Sequence, residues 1–183
     1  MTDITDILIK EHDLILRMIT LLERNAPRTA SGAYTNWQFY RDGIDFIRQY
    51  ADHFHHAKEE EVLFTALIDN GMSKEHSPVA VMLMEHEQSR FHVRELEKAL
   101  DEAQAGDTAK RLAVAEHALA YAHLLRSHIG KENTVLYPFA EQTLPETVRP
   151  GIVAAYRHKA THVPEHFSNR YQSVVEQYEQ ESD

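Results

Sequence analysis

The sequence predicts an all-α protein: an up-down-up-down antiparallel four-helix bundle with one or two extra C-terminal helices. Two observations carry this. Every periodic stretch has the helical repeat of ~3.6 residues, and strictly alternating β-branched clusters are absent. Breaks are few, with 6 Gly and 6 Pro in 183 residues. Helices are therefore long and connections short, and short connections make successive helices antiparallel neighbours.

The elements follow in order. Helix A is expected at about 3–24, closed by a loop from Asn25 to Ala33, and helix B at about 36–69. Thr35-x-x-Gln38 is a capping-box signal for its start. Asn70-Gly71 ends it, and Ser77-Pro78 opens helix C as N-cap and first helical residue. Helix C is expected at about 78–104 and helix D at about 108–137, with Ala105-Gly106-Asp107 as the turn and Pro138 as the terminator. Two shorter helices, at about 145–160 and 164–181, complete the chain. The bundle is expected over residues 1–142, with 143–183 as an extension packed on the same domain. No sequence repeat stands out.

Composition narrows the function. Cysteine is absent, which removes disulfides, thiolate nucleophiles, Cys-ligated zinc or iron–sulfur clusters and covalent haem. A formal net charge of −10 argues against nucleic acid and anionic lipid as partners. The N-terminal MTDITDILIKEHD lacks a signal peptide's basic flank and apolar run, and no stretch approaches the ~18 apolar residues of a membrane span, so a soluble, cytoplasmic protein is expected. The outlier is 13 histidines. With no cysteine to compete, they point to a nitrogen and oxygen metal site.

Each histidine can be tested against the apolar stripe of its own helix, at ~100° per residue. His12 shares a face with Leu8, Ile15, Leu16 and Ile19, His86 with Val79, Met82, Leu83 and Val93, and His128 with Val114, Ala118, Tyr121 and Leu125. Glu132, four residues on, lies on the His128 stripe. Helix B offers two i, i+4 pairs, His55/Glu59 and His56/Glu60. The stripe of Phe46, Tyr50, Ala57, Leu63, Phe64 and Leu67 selects His56/Glu60 as inward, with His53 a neighbour one turn earlier and His55/Glu59 toward the edge. With alternating helix directions, His12, His56, Glu60, His86, His128 and Glu132 all lie roughly 12–20 Å from one end of the bundle. Independent core histidines have no reason to share a level. Burying these groups together without compensation costs several kcal/mol or more, and a metal cluster is the natural compensation. His55, His76, His92, His117, His123, His158, His162 and His166 are read as structural or surface residues.

The motifs Glu11-His12-Asp13, His56-Ala-Lys-Glu-Glu60, Met84-Glu-His86-Glu and His128-Ile-Gly-Lys-Glu132, the last followed by Asn-Thr-Val-Leu-Tyr-Pro138, resemble the hemerythrin-like, or HHE cation-binding, family over about residues 5–140. The resemblance implies a four-helix bundle around a non-haem di-iron centre, with His12, His56, Glu60, His86, His128 and Glu132 as ligands and the two glutamates bridging. Oxygen-carrying members have a His-x3-His pair on the third helix, whereas here Arg90 stands four residues after His86. The pattern is closer to four-His/two-Glu members linked to nitric-oxide stress and iron–sulfur repair. Those commonly carry a Cys-containing N-terminal segment, and this sequence has no cysteine.

Such a site implies two iron ions, oxo- or hydroxo-bridged, with about two of ~12 coordination positions left for a small ligand. The expected partner is a diatomic ligand or peroxide. Two function classes follow: a protein that binds or senses O2, NO or peroxide with a redox or iron-handling role, and an enzyme that reduces NO or peroxide. Arg90 is expected to neutralise a bound anion or pair with a glutamate, and Tyr50 and Tyr121 to be core tyrosines.

Overall fold

The computed structural model describes residues 3–107 and 109–181, and every regular element among them is helical. Six helices follow one another: α1 (Asp6–Ser31), α2 (residues 37–69), α3 (Pro78–Gln104), α4 (residues 110–143), α5 (Arg149–Ala160) and α6 (Phe167–Glu179).

Local chemistry sets most of the boundaries. Ser77 caps α3 by accepting from the Ala80 N–H at 3.4 Å, and Pro78 occupies the first turn, where a missing N–H costs nothing. This is the predicted helix C. Helix α1 runs through most of the predicted loop, Pro27 included, to Ser31. Tertiary packing overrides the breaker there: Asn25, Ala26 and Thr29 are fully buried, and the Thr29 and Tyr40 hydroxyls are hydrogen-bonded at 2.7 Å. The helix ends at Gly32, whose φ of 82° is the left-handed conformation that glycine adopts without steric cost. The start of α2 is corrected by one residue. Asn36, not Thr35, accepts from the Phe39 N–H at 3.3 Å, and Gln38 turns to Asp42 instead of closing a capping box.

Two helices depart from α geometry. In α2, Ile47–His56 and Glu59–Phe64 are π-helical, and in α4 so is Glu132–Leu136. The i→i+5 bonds from the Ala57 N–H to the Asp52 carbonyl and from the Tyr137 N–H to the Glu132 carbonyl mark the wider turn. Pro138 does not terminate α4. It falls in the first turn of the α-helical segment Tyr137–Thr143, directly after the π turn. The predicted start of that helix at residue 108 lies outside the described residues, and regular helix begins at Lys110.

Burial resolves into two apolar clusters. One gathers Ile15, Ile19, Phe46, Tyr50, Phe54, Val93, Leu125 and Ile129, together with Tyr171, Val175 and Tyr178 of α6. The other gathers Ile4, Leu8, Leu63, Phe64, Val79, Met82, Leu136 and Tyr137, together with Ile152 and Tyr156 of α5. Helices α1 to α4 each cross both clusters, in alternating order. Between the two on every one of them lie buried polar residues: His12, then His55, His56 and Glu59, then His86, then His128 and Glu132.

The caps give a direct check. Asn36→Ala removes the Phe39 N–H acceptor and a 2.8 Å bond to Glu181, so it should lower unfolding free energy by about 1 kcal/mol in urea titration. Thr35→Ala, at an exposed position, should leave the midpoint unchanged.

Candidate metal centre

The π turns decide which side chains of α2 face inward. A π turn rotates each residue by less than the ~100° of an α-helix, so consecutive residues stay closer to one face. His55 and His56 are accordingly both buried, at 1% and 2% exposure, and Glu59 is fully buried. This corrects the sequence expectation for helix B. His55 and Glu59 do not lie at the edge. Glu60 does not reach the cluster: its carboxylate is half-buried and accepts from His86 Nδ1 at 2.7 Å and from Arg90 at 2.7 Å. The other expected residues, His12, His56, His86, His128 and Glu132, do converge.

Seven side chains therefore meet, and their donor atoms form two groups, each with atoms within 4.8 Å of one another. One contains His56, Glu59, His86 and His128, and the other His12, His55, Glu59 and Glu132; Glu59 belongs to both. Glu132 also spans the cluster. One of its oxygens lies 3.3 Å from His12 Nε2 and the other 3.1 Å from His128 Nε2.

An outer ring of acceptors orients the imidazoles. His12 Nδ1 donates to Asn133 at 2.8 Å, His55 Nδ1 to Glu11 at 3.0 Å, and His56 Nδ1 to Asp52 at 3.3 Å. His86 Nδ1 donates to Glu60 at 2.7 Å and His128 Nδ1 to Glu85 at 2.9 Å. Each of the five rings thus sets Nδ1 on an outer acceptor and turns Nε2 toward the centre of the cluster. This carboxylate–imidazole arrangement fixes the tautomer of a metal ligand and raises its basicity. The inward atoms are poorly satisfied within the protein. His55 Nε2, Glu59 Oε2 and both carboxylate oxygens of Glu132 are sealed from solvent without a hydrogen-bond partner. His86 and His128 set their Nε2 atoms 3.0 Å apart. Orphaned lone pairs of this number are costly unless a cation takes them up.

Charge is distributed unevenly over the cluster. Burial and the neighbouring Glu132 charge push the Glu59 carboxyl well up. Burial also opposes charge on Glu132, but His128 and His12 hold that carboxyl well down. Burial and the neighbouring imidazoles hold His55 and His56 well below the usual histidine range, so both stay neutral. Burial opposes charge on His128 too, but Glu132 and Glu85 raise it above the usual histidine value. Imidazoles and carboxylates together form a nitrogen and oxygen donor set for a divalent cation.

Sequence reasoning also missed Tyr137. Its hydroxyl donates to Glu59 Oε1 at 2.5 Å, and its ring stacks on His12 with centroids 5.5 Å apart. The signal was present, since Tyr137 stands five residues after Glu132, one π turn away. A repeat was missed as well. Glu11-His12 is followed by His55-x-x-Lys58-Glu59, and Glu85-His86 by His128-x-x-Lys131-Glu132. The separations from Glu11 to His55 and from Glu85 to His128 are 44 and 43 residues. The frame repeats in space too. Asn133 and Glu60, each next to the glutamate of its motif, anchor His12 and His86, and Phe64 stacks on His86 as Tyr137 stacks on His12.

A sequence profile of the hemerythrin HHE cation-binding domain matches residues 3–140. Uncharacterized proteins of Mycobacterium bovis and Mycobacterium tuberculosis are each 23% identical over 131 residues, covering 72% of this chain and 51% of theirs. The chain thus spans about half the length of the curated relatives it matches. No solved structure matches.

Arg90 takes the second of its two expected roles, pairing with Asp52, Glu60 and Glu87. Burial disfavours charge on Glu60, yet the bonds from His86 and Arg90 hold its carboxyl down at about 2, and Asp52 is lowered in the same way by His56 and Arg90. A depressed carboxyl stabilises the fold above its unfolded value and loses that contribution as pH falls through the folded one. In metal-stripped protein, Arg90→Gln should therefore cost about 1 kcal/mol at neutral pH. The gap from wild type should narrow as pH falls from about 4.5 toward 2, read by urea unfolding at several pH values. A gap that stays constant with pH would count against this network.

Proposed function

Because the chain belongs to the hemerythrin HHE cation-binding domain family, we propose that it is a non-haem di-iron protein that binds or senses a small ligand, O2, NO or peroxide. The observation that carries this reading is the pair of donor groups sharing Glu59, with inward lone pairs that no protein group satisfies. His12, His55, His56, His86, His128, Glu59 and Glu132 would hold the metal, with Glu59 and Glu132 as bridges. His56 would supply from α2 the fifth imidazole that α3, with Arg90, does not. The alternating order in which the four long helices cross the two apolar clusters supports an up-down-up-down bundle over residues 1–142, with 143–183 as its extension.

When bound, an iron pair supplies two-electron redox chemistry and open positions for a small ligand. The rest is the work of this chain. Five imidazole nitrogens and the oxygens of two carboxylates fall short of the ~12 positions of two octahedral ions, so roughly three are left to solvent or an external ligand. The apolar clusters on either side exclude bulk water. The Tyr137 hydroxyl holds a proton at Glu59 Oε1 and fixes that carboxylate's orientation. A cleft of about 280 Å³ lined by His56, Arg90, Val93 and Tyr121 brings small molecules up to the His56 side.

Protein from iron-supplemented cells should carry two irons per chain by elemental analysis. Glu59→Ala and His55→Ala should drop the count to one or none, and Glu60→Ala should keep two; the reverse order would remove Glu59 from the site. Chelation should lower the melting temperature clearly. Native-state binding is worth ~4 kcal/mol at a thousandfold excess over Kd, or roughly 8–16 °C for a chain of this size. The visible spectrum of the iron-loaded protein should change with O2, NO or peroxide and recover on its removal. Catalytic loss of NO or peroxide would instead make it an enzyme.

A further inference from the structure

Outside the donor atoms, the two repeated motifs hold a second feature in common. Lys58 Nζ pairs with Glu11 Oε1, and the other oxygen of Glu11 accepts from His55 Nδ1 at 3.0 Å. Lys131 Nζ pairs with Glu85 Oε1, and the other oxygen of Glu85 accepts from His128 Nδ1 at 2.9 Å. In both halves a lysine one residue before the inward glutamate reaches across to a different helix. There it takes one oxygen of the carboxylate whose other oxygen holds the imidazole. The spans match, at 47 residues from Glu11 to Lys58 and 46 from Glu85 to Lys131.

We propose that Lys58 and Lys131 are positioning residues of the metal centre. Each acts through its glutamate to set how strongly one imidazole, His55 or His128, donates to the metal. The inference rests on the di-iron reading above and adds residues to it. A carboxylate that accepts from Nδ1–H pushes electron density toward Nε2. A lysine on the same carboxylate draws density away and moderates that push. The two relays differ in setting. Lys58 is fully buried, with its ammonium 3.2 Å from the centre of the Phe54 ring, and Glu11 is 9% exposed at its side chain. Lys131 is 39% exposed at its side chain and Glu85 11%. The first relay is sealed into the core, whereas the second opens to solvent. Solution conditions and surface substitutions therefore act on the centre through His128, not His55.

The test uses the iron-loaded full chain with Lys131→Met, Lys131→Arg and Glu85→Gln. Metal content is measured first, then the reduction potential of the metal pair and the rate of iron transfer to an external chelator. Lys131→Met should lower the potential, because the unmoderated Glu85 makes His128 a stronger donor and favours the oxidised metal. Lys131→Arg should restore the wild-type value. Glu85→Gln should raise the potential and speed iron loss by about 10–100-fold. Lys131→Gln replaces the Met variant if that one fails to fold. Full metal content with unshifted potentials and release rates, even with a lowered melting temperature, would overturn the proposal and leave the di-iron reading intact. Wild-type protein that takes up no metal would overturn both.

Discussion

Everything in this fold accommodates one layer of polar side chains sealed between two apolar clusters. Five imidazoles and two carboxylates sit at 2% exposure or less where a four-helix core would ordinarily carry Leu and Ile. The charges that make this tolerable stand one step out. Lys58 and Glu11, Lys131 and Glu85, and Arg90 with Asp52 and Glu60 form an outer shell that ties the Nδ1 of His55, His128, His56 and His86, while the neutral Asn133 ties that of His12. A buried cation such as Lys58 is expensive alone. Here it is matched by a carboxylate and an aromatic face, so the cost is met within the layer.

The π turns belong to the same constraint. An α-helix places two adjacent residues ~100° apart, so it cannot aim both His55 and His56 at one centre. The wider turn does, at the expense of poorer backbone packing, and it recurs in α4 where Glu132 opens the π segment. Of the three π segments, one ends on His55 and His56, and the other two start on a glutamate of the inward set, Glu59 and Glu132. The distortion therefore falls on the two helices that supply the glutamates of the cluster.

This explains what was legible in the sequence. The level of the cluster could be read because His12, His86, His128 and Glu132 lie on helix stretches that are α-helical up to that level. The choice between His55/Glu59 and His56/Glu60 went astray because a fixed ~100° wheel was applied across a stretch that does not obey it. Pro27 and Pro138 misled for a different reason. Packing of Asn25, Ala26 and Thr29 carries α1 through the first, and a π turn immediately precedes the second. Ser77-Pro78 read correctly because its cap is purely local. The repeat escaped notice because only about half a dozen positions carry it, spread over two helices per half.

The repeat also shows where the halves diverge around the cluster. Tyr137 stacks on His12 with a hydroxyl aimed at Glu59, whereas its counterpart Phe64 stacks on His86 without one. Asn133 anchors His12 as a neutral amide, and Glu60 anchors His86 as an anion bound by Arg90. His56 follows His55, but apolar Ile129 follows His128. The His12 side is thus closed by a stacked ring and a hydroxyl. The His86 side gains an extra imidazole, an ion-pair network and the adjoining cleft. A symmetric frame would hold two equivalent ions. In the proposed di-iron reading, these differences would make the two positions unequal in charge, in donor count and in access, so that an external ligand would meet one metal before the other.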